Sequence, residues 1–341
     1  MLKRITLALL GAVSFSAAAK ADITETLYYT TFGGGENVWK VTGSYNGNGT
    51  VGNGTFSLTG DTGIAATPGA DGIVLNPNNG QLLVGGQGNA IFQVNPTTGT
   101  FTSAAPNMSA FEITVDPGKN VVWAGGQEGN DFRISSTPIN PFGAAGTTKL
   151  LFGSVAKITH ITFVPGMAAG MAFYTSANDD GTSPHFGTIN LLTGLTNDIN
   201  LNAPAGTTWH GMDYDPFTGD LILAGGDEVL QVDPTTHQIV STLIQSGRDF
   251  DQGAVDGTGR LFWADNNGDL LFLDYSTTGK IGDANNFVYD SFFKTALDDF
   301  APLIGAGGTG TNTVPEPSSL LLLIAGLFGL GYLYRRKERL A

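Results

Sequence analysis

Residues 72–99 read GIVLNPNNGQLLVGGQGNAIFQVNPTTG. Three short apolar runs are separated by Asn, Pro and Gly, and none is long enough for an ordinary helix. Such runs, bounded by turn residues, read as strands. The opening run recurs as EITVDPGKN (112–120), ITFVPGM (161–167), GMDYDPFTG (211–219) and GAVDGTG (253–259). The second, LLVGGQ (82–87), recurs as LYYTTFGGG (27–35), VVWAGGQ (121–127), MAFYTSAN (171–178), LILAGGD (221–227) and LFWADNN (261–267). The third, AIFQVNPTTG (90–99), recurs as NVWKVTGSYNG (37–47), DFRISSTPIN (131–140), FGTINLLTG (186–194), EVLQVDPTTH (228–237) and LLFLDYSTTG (270–279). Unit starts fall about 40 to 50 residues apart, the spacing of propeller blades.

The first unit has no opening run ahead of it. DDFAPLIGAGG (298–308), at the other end of the body, has no unit of its own. Pairing the two closes a ring and removes the exposed edges. The expected fold is therefore all-β: a six-bladed β-propeller closed by strands from both chain ends. Asn or Asp ahead of Pro or Gly supplies the turn between the first two strands. The second strands are apolar on both faces because a neighbouring blade covers each side. A β-sandwich followed by another β domain is the competing architecture. The repeats resemble NHL, SMP-30 and YVTN-like six-bladed propellers through their NP-x-x-G and DP-x-x-G turns, and that resemblance implies fold only.

Both ends of the chain differ from this body. Lys3 and Arg4 precede an apolar run from Ile5 to Phe15, and Ala19 and Ala21 are small residues placed for signal peptidase. Residues 1–21 are thus expected to be a signal peptide, and 22–308 the propeller. At the far end, 309–317 form a linker that ends in Pro315, Glu316 and Pro317. The uncharged stretch 318–334 follows, then a basic tail, 335–341, with Arg335, Arg336, Lys337 and Arg339. As a helix rising ~1.5 Å per residue, the apolar run reaches roughly 25 Å, slightly short of a bilayer core. The basic end is expected to stay cytoplasmic. A buried core helix is the alternative, but the basic end fits a core poorly.

The triplet, apolar helix and Arg-rich end together resemble the PEP-CTERM sorting signal of Gram-negative bacteria, over residues 314–339 only. The resemblance implies processing by exosortase, a membrane protease-transpeptidase, and an association with exopolysaccharide. Pro315, Glu316 and Pro317 would be the recognition motif. Helix and basic tail would hold the substrate in the inner membrane until cleavage, and delivery would be to the envelope, the surface or the medium.

Composition narrows the function. The whole chain carries a formal charge of −14. Between the two terminal signals only nine Lys and Arg stand against 28 Asp and Glu, a net charge near −19. A body so acidic is a poor partner for nucleic acid or anionic lipid and tolerates cations or neutral glycans. With no cysteine, neither disulfides nor thiol chemistry is available. No HExxH, GxSxG, Walker or Rossmann pattern occurs.

The starts of the inner strands should converge on one mouth of the central channel. They bring Asp71, Glu112, His160, His210, Asp251 with Gln252, and Asp298 with Asp299. Carboxylates and imidazoles at one level are candidates for a ligand or for a divalent cation, calcium or similar; a wet polar channel without activity is the plainer reading. In lactonase-like propellers such a metal activates water, so a metal-dependent hydrolase built on Glu112, His160, His210 and Asp251 is the alternative function. A non-enzymatic binding or matrix protein of the envelope or exopolysaccharide is the first. Trp209 beside His210 either stacks on a sugar or, like Trp39, Trp123 and Trp263, fills space between blades. His185 and His237 fall in expected loops or turns. Residues 265–269 (DNNGD) and 178–181 (NDDG) resemble fragments of a calcium loop but lack its terminal Glu, so hairpin turns explain them better.

Overall fold

The computed structural model describes residues 23–31, 35–46, 55–129, 131–151, 157–177, 184–203, 208–289 and 297–301. The expected signal peptide with Ala19 and Ala21, the NDDG turn, and the whole sorting region including Pro315–Pro317 and the basic tail lie outside the described residues. Among the described residues no helix is long and apolar enough to cross a membrane.

Six four-stranded antiparallel sheets form a ring, and the chain is an all-β six-bladed propeller. The first blade contains Leu297–Phe300, Ile23–Thr31, Val38–Asn46 and Thr55–Ala65, in that order from the channel outward. The inner strands of blades two to six are Ala70–Leu75, Glu112–Val115, Lys157–Thr162, Gly211–Asp215 and Phe250–Val255. Each touches the inner strands on either side, and Leu297–Phe300 contacts those of both the sixth and second blades.

Ring closure follows the expected route. Tyr29 pairs with Phe300 and Thr31 with Leu297 in an antiparallel ladder, so the C-terminal strand serves as the inner strand of the N-terminal blade. It begins one residue earlier than the expected 298–308 segment and is described only as far as Ala301.

The core is divided into six layers, one between each pair of neighbouring blades. This division explains the doubly apolar second strands: every residue of Leu82–Gly86 and of Arg260–Asp265 is buried. The layer between the last and first blades is the most aromatic. Phe56 stacks on Phe272 with centroids 4.2 Å apart, and Tyr45 and Phe262 tilt against Phe272. All four tryptophans lie in such layers, and Trp209 packs with Phe173, Met212 and Leu230.

The turn chemistry is that of Asx motifs. Asn78 N–H donates to Oδ1 of Asn76, Gly118 N–H to Oδ2 of Asp116, Phe217 N–H to Oδ1 of Asp215, and Thr258 N–H to Oδ1 of Asp256. DNNGD is a turn of this kind, with Asn267 N–H on Oδ1 of Asp265. His237 occupies a left-handed position (φ 58°) equivalent to Gly99 (φ 71°) in the matching turn of the second blade. His185, expected in a loop, instead opens the strand His185–Asn190, and its Nδ1 lies 2.9 Å from Oδ2 of Asp198.

Candidate functional site: the acidic channel mouth

Every inner strand is irregular at the same level. Between Ala70 and Ile73 the second blade has one more residue than its partner segment Val84–Gly86, and the extra place falls at Asp71–Gly72. The sixth blade repeats this between Phe250 and Gly253, at Asp251–Gln252, and the fourth at Thr159. The first blade does so between Leu297 and Phe300, at Asp298–Asp299. In the third blade Phe111 N–H donates to the carbonyl of Gly125 although Glu112 is the residue registered opposite it; His210, Gly211 and Ala224 repeat the pattern in the fifth. An extra residue breaks strand alternation and re-aims side chains, which is why bulges gather beside binding sites.

Glycines let the bulged strands pass each other. A Cβ on Gly72 would come within 2.9 Å of the Ile113 backbone nitrogen, and one on Gly211 within 2.2 Å of the Asp251 carbonyl oxygen. Two bonds fix the arrangement: the Thr159 hydroxyl donates across to the fifth blade, to the Trp209 carbonyl (2.6 Å), and within the sixth blade Trp263 Nε1–H donates to the Asp251 carbonyl (2.7 Å).

The bulged residues surround a cavity of about 240 Å³. Asp71, Glu112, Asp251 and Asp298 bring carboxylates to its wall, with His210, Gln252 and Asn266 beside them. Lys157 is the one cationic residue of the wall, its ammonium 4.2 Å from the centre of the Phe111 ring. Thus Asp71, Glu112, His210 and Asp251 line one pocket. His160 stands behind it, with Nδ1 3.2 Å from Oε1 of Glu112. Trp209, in the core layer, is not among the lining residues.

Burial dominates the electrostatics. It pushes Asp71 up to about 8, with Asp251 adding to the shift and Lys157 and Gln87 opposing it. Burial also holds Glu112 well above the carboxylate range; Gln252 opposes this, and Asp71 and Asp251 reinforce it. Asp298 and Asp299 are raised in the same way, first by burial and then by neighbouring carboxylates. His160 is pushed down to about 3 by burial, so its contact with Glu112 does not join two charges at neutral pH. Such a mouth favours a ligand that brings positive charge or donates hydrogen bonds, because either offsets the crowding of carboxylates.

The four residues of the hydrolase reading do not gather around one point. Among the described residues, the one group of three or more possible metal ligands with atoms within 4.8 Å of each other is Asp71, Asp298 and Asp299. The apolar runs that mark the inner strands do not mark Lys157, Phe111 and Asn266, which also line the pocket. The bulge at Thr159 puts Lys157, rather than His160, on the pocket wall. Gln87, the last residue of a GGQ that recurs at 125–127, is the wall residue that a repeat pattern in the sequence does mark.

Fold and site together define a six-bladed propeller with a bulge-lined acidic channel mouth. The chain also carries an export signal at its end: residues 313–337 match the PEP-CTERM protein-sorting motif. That motif points to export and to exosortase processing at the membrane. No curated protein matches the chain. Among solved structures, a chain of a nidogen/laminin complex matches with a TM-score of 0.60 at 14% identity, over 82% of this chain and 98% of that one. TolB from Acinetobacter baumannii matches with a TM-score of 0.56 at 12% identity, over 82% and 66%. A protein of unknown function from Bacteroides thetaiotaomicron matches with 0.52 at 13% identity, over 81% and 85%. At these identities the likeness is one of fold.

Proposed function

We propose that this chain is an exported, non-enzymatic binding protein of the cell envelope or its surface polysaccharide, taking its ligand at the acidic mouth of the propeller channel. One observation carries the reading: all six inner strands, four of them bulged and two with an offset backbone bond, present polar side chains to a single cavity of about 240 Å³. Carboxylates, Gln252 and Asn266 accept from and donate to hydroxyls, which suits a neutral glycan, whereas a polyanion would meet repulsion. The sorting motif supports the envelope location, since it points to export and processing at the membrane.

The test is binding of a panel of neutral and charged glycans, and of envelope fractions, to the purified full-length chain, alongside Asp251→Asn and Gln252→Ala. Binding of neutral glycan that falls at least tenfold in both variants is the expected result. Absence of binding to every glycan and fraction would overturn the proposal, and so would binding that neither substitution affects.

A further inference from the structure

Asp298 and Asp299 are consecutive residues of the closing strand, and alternation would place their side chains on opposite faces. The extra residue between Leu297 and Phe300 removes that constraint. Ligand atoms of Asp71, Asp298 and Asp299 therefore lie within 4.8 Å of one another, the first from the second blade and the other two from the first.

A second observation is independent of that proximity. Both carboxylate oxygens of Asp299 and Oδ2 of Asp298 are buried and accept no hydrogen bond, and the two residues are 1% and 4% exposed. Buried carboxylate oxygens without donors are costly, more so beside other carboxylates. Asp71 and Asp298 reach the cavity wall, which gives an ion a way in.

We infer that the channel mouth holds one divalent cation, of the hard oxygen-binding kind typified by calcium, between Asp71 and the Asp298–Asp299 pair. The donor set is entirely carboxylate oxygen. It suits calcium, which accepts carboxylates and waters in flexible geometry, and does not suit zinc, which favours nitrogen and sulfur. The ion would offset the carboxylate charge and tie the last strand of the chain to the second blade, bracing the ring at its point of closure. This inference rests on the mouth being a binding site, but not on what else enters it.

The experiment uses the full-length chain in detergent, stripped with chelator and titrated with calcium alone by calorimetry and thermal unfolding. Expected are one calcium per chain and a Tm rise of about 5 °C at a hundredfold excess over Kd. Asp298→Asn and Asp299→Asn should each weaken binding at least tenfold. In chelator both should melt above the wild type, because each relieves carboxylate crowding. Asp131→Asn, on an exposed residue outside the cavity wall, should bind as the wild type does. The inference is overturned if calcium does not bind at millimolar concentration, if both mouth variants bind it unchanged, or if an organic diamine binds there and calcium does not. Glycan binding by a chain that takes no calcium would sink the cation site and leave the binding reading intact; calcium uptake without glycan binding would do the reverse.

Discussion

The Tyr45 hydroxyl donates to Oδ2 of Asp274 at 2.5 Å, a buried bond from the first blade to the sixth. The guanidinium of Arg260, on the sixth blade, sits 5.4 Å from the centre of the same Tyr45 ring. This is the seam where residues far apart in the chain hold the ring shut. Tyr45→Phe leaves the carboxylate one donor short, and a hydrogen bond to a charged group contributes roughly 1.5–3 kcal/mol. A fall in unfolding free energy of that size, read as a lower denaturant midpoint at unchanged slope, is expected. An unaltered midpoint would mean that the bond adds nothing to closure.

The same bond makes the seam acid-sensitive. Burial alone would push Asp274 up, but the Ser276 and Tyr45 hydroxyls and Arg260 more than reverse it and hold the carboxyl below its usual range. A depressed carboxyl stabilises the fold above its unfolded value, near 3.9, and loses that contribution as pH falls through the folded value. Wild-type Tm should therefore fall more steeply than that of Tyr45→Phe below about pH 4. Parallel curves would refute this.

Asp213, farther along the inner strand of the fifth blade, has the opposite sign. Burial pushes it up to about 7, Asp215 adds to this, and the Val255 and Tyr214 N–H groups partly offset it. A raised carboxyl contributes most below its unfolded value, and that contribution disappears as pH rises through about 7. Asp213→Asn should flatten the decline in stability between about pH 4 and 7. If its stability-versus-pH curve has the wild-type slope, the assignment is wrong.

Phe300 and Leu297 are the apolar anchors of the closing strand, and both are buried against the first blade. The Phe300 ring lies 5.7 Å from that of Tyr29. Phe300→Ala should destabilise by about 3–5 kcal/mol, as buried Phe truncations do. Ending the chain before Leu297 should bare Ile23–Thr31 as an edge and cause self-association, visible by light scattering. A monomeric, cooperatively folding truncation would show that closure is dispensable.

Replacing Pro315, Glu316 and Pro317 together by Ala should leave an unprocessed precursor in the membrane fraction of the source cell. Intact mass spectrometry would read the retained tail. Normal trimming of the triple variant would separate processing from the motif.

The blades were legible because their signal is chemical. Each NP-x-x-G or DP-x-x-G turn needs Asn or Asp to accept from the next backbone N–H groups, and Asn76 and Asp215 do so. Closure was legible because one strand lacked a partner at each end. The outer strands were not. Leu195–Asp198 and Ile239–Ile244 are half-exposed and edge-like, so they lack a continuous apolar run. The mouth was legible as a level but not as a geometry. Charged residues near strand starts marked Asp71, Glu112, His210 and Asp251, whereas the bulges that choose between Lys157 and His160 depend on pairing across strands and leave no local pattern.

The closing strand also sets a schedule. Leu297–Phe300 completes the first blade, and the matched sorting segment begins at residue 313, only a short way on. A chain crossing amino-terminus first would bring five complete blades and three of the four strands of the first blade across before the piece that shuts the ring. Until then Ile23–Thr31 has an open side. Protease resistance of the body would therefore be expected only in chains that have crossed as far as Phe300, and chains halted before it would be expected to stay digestible.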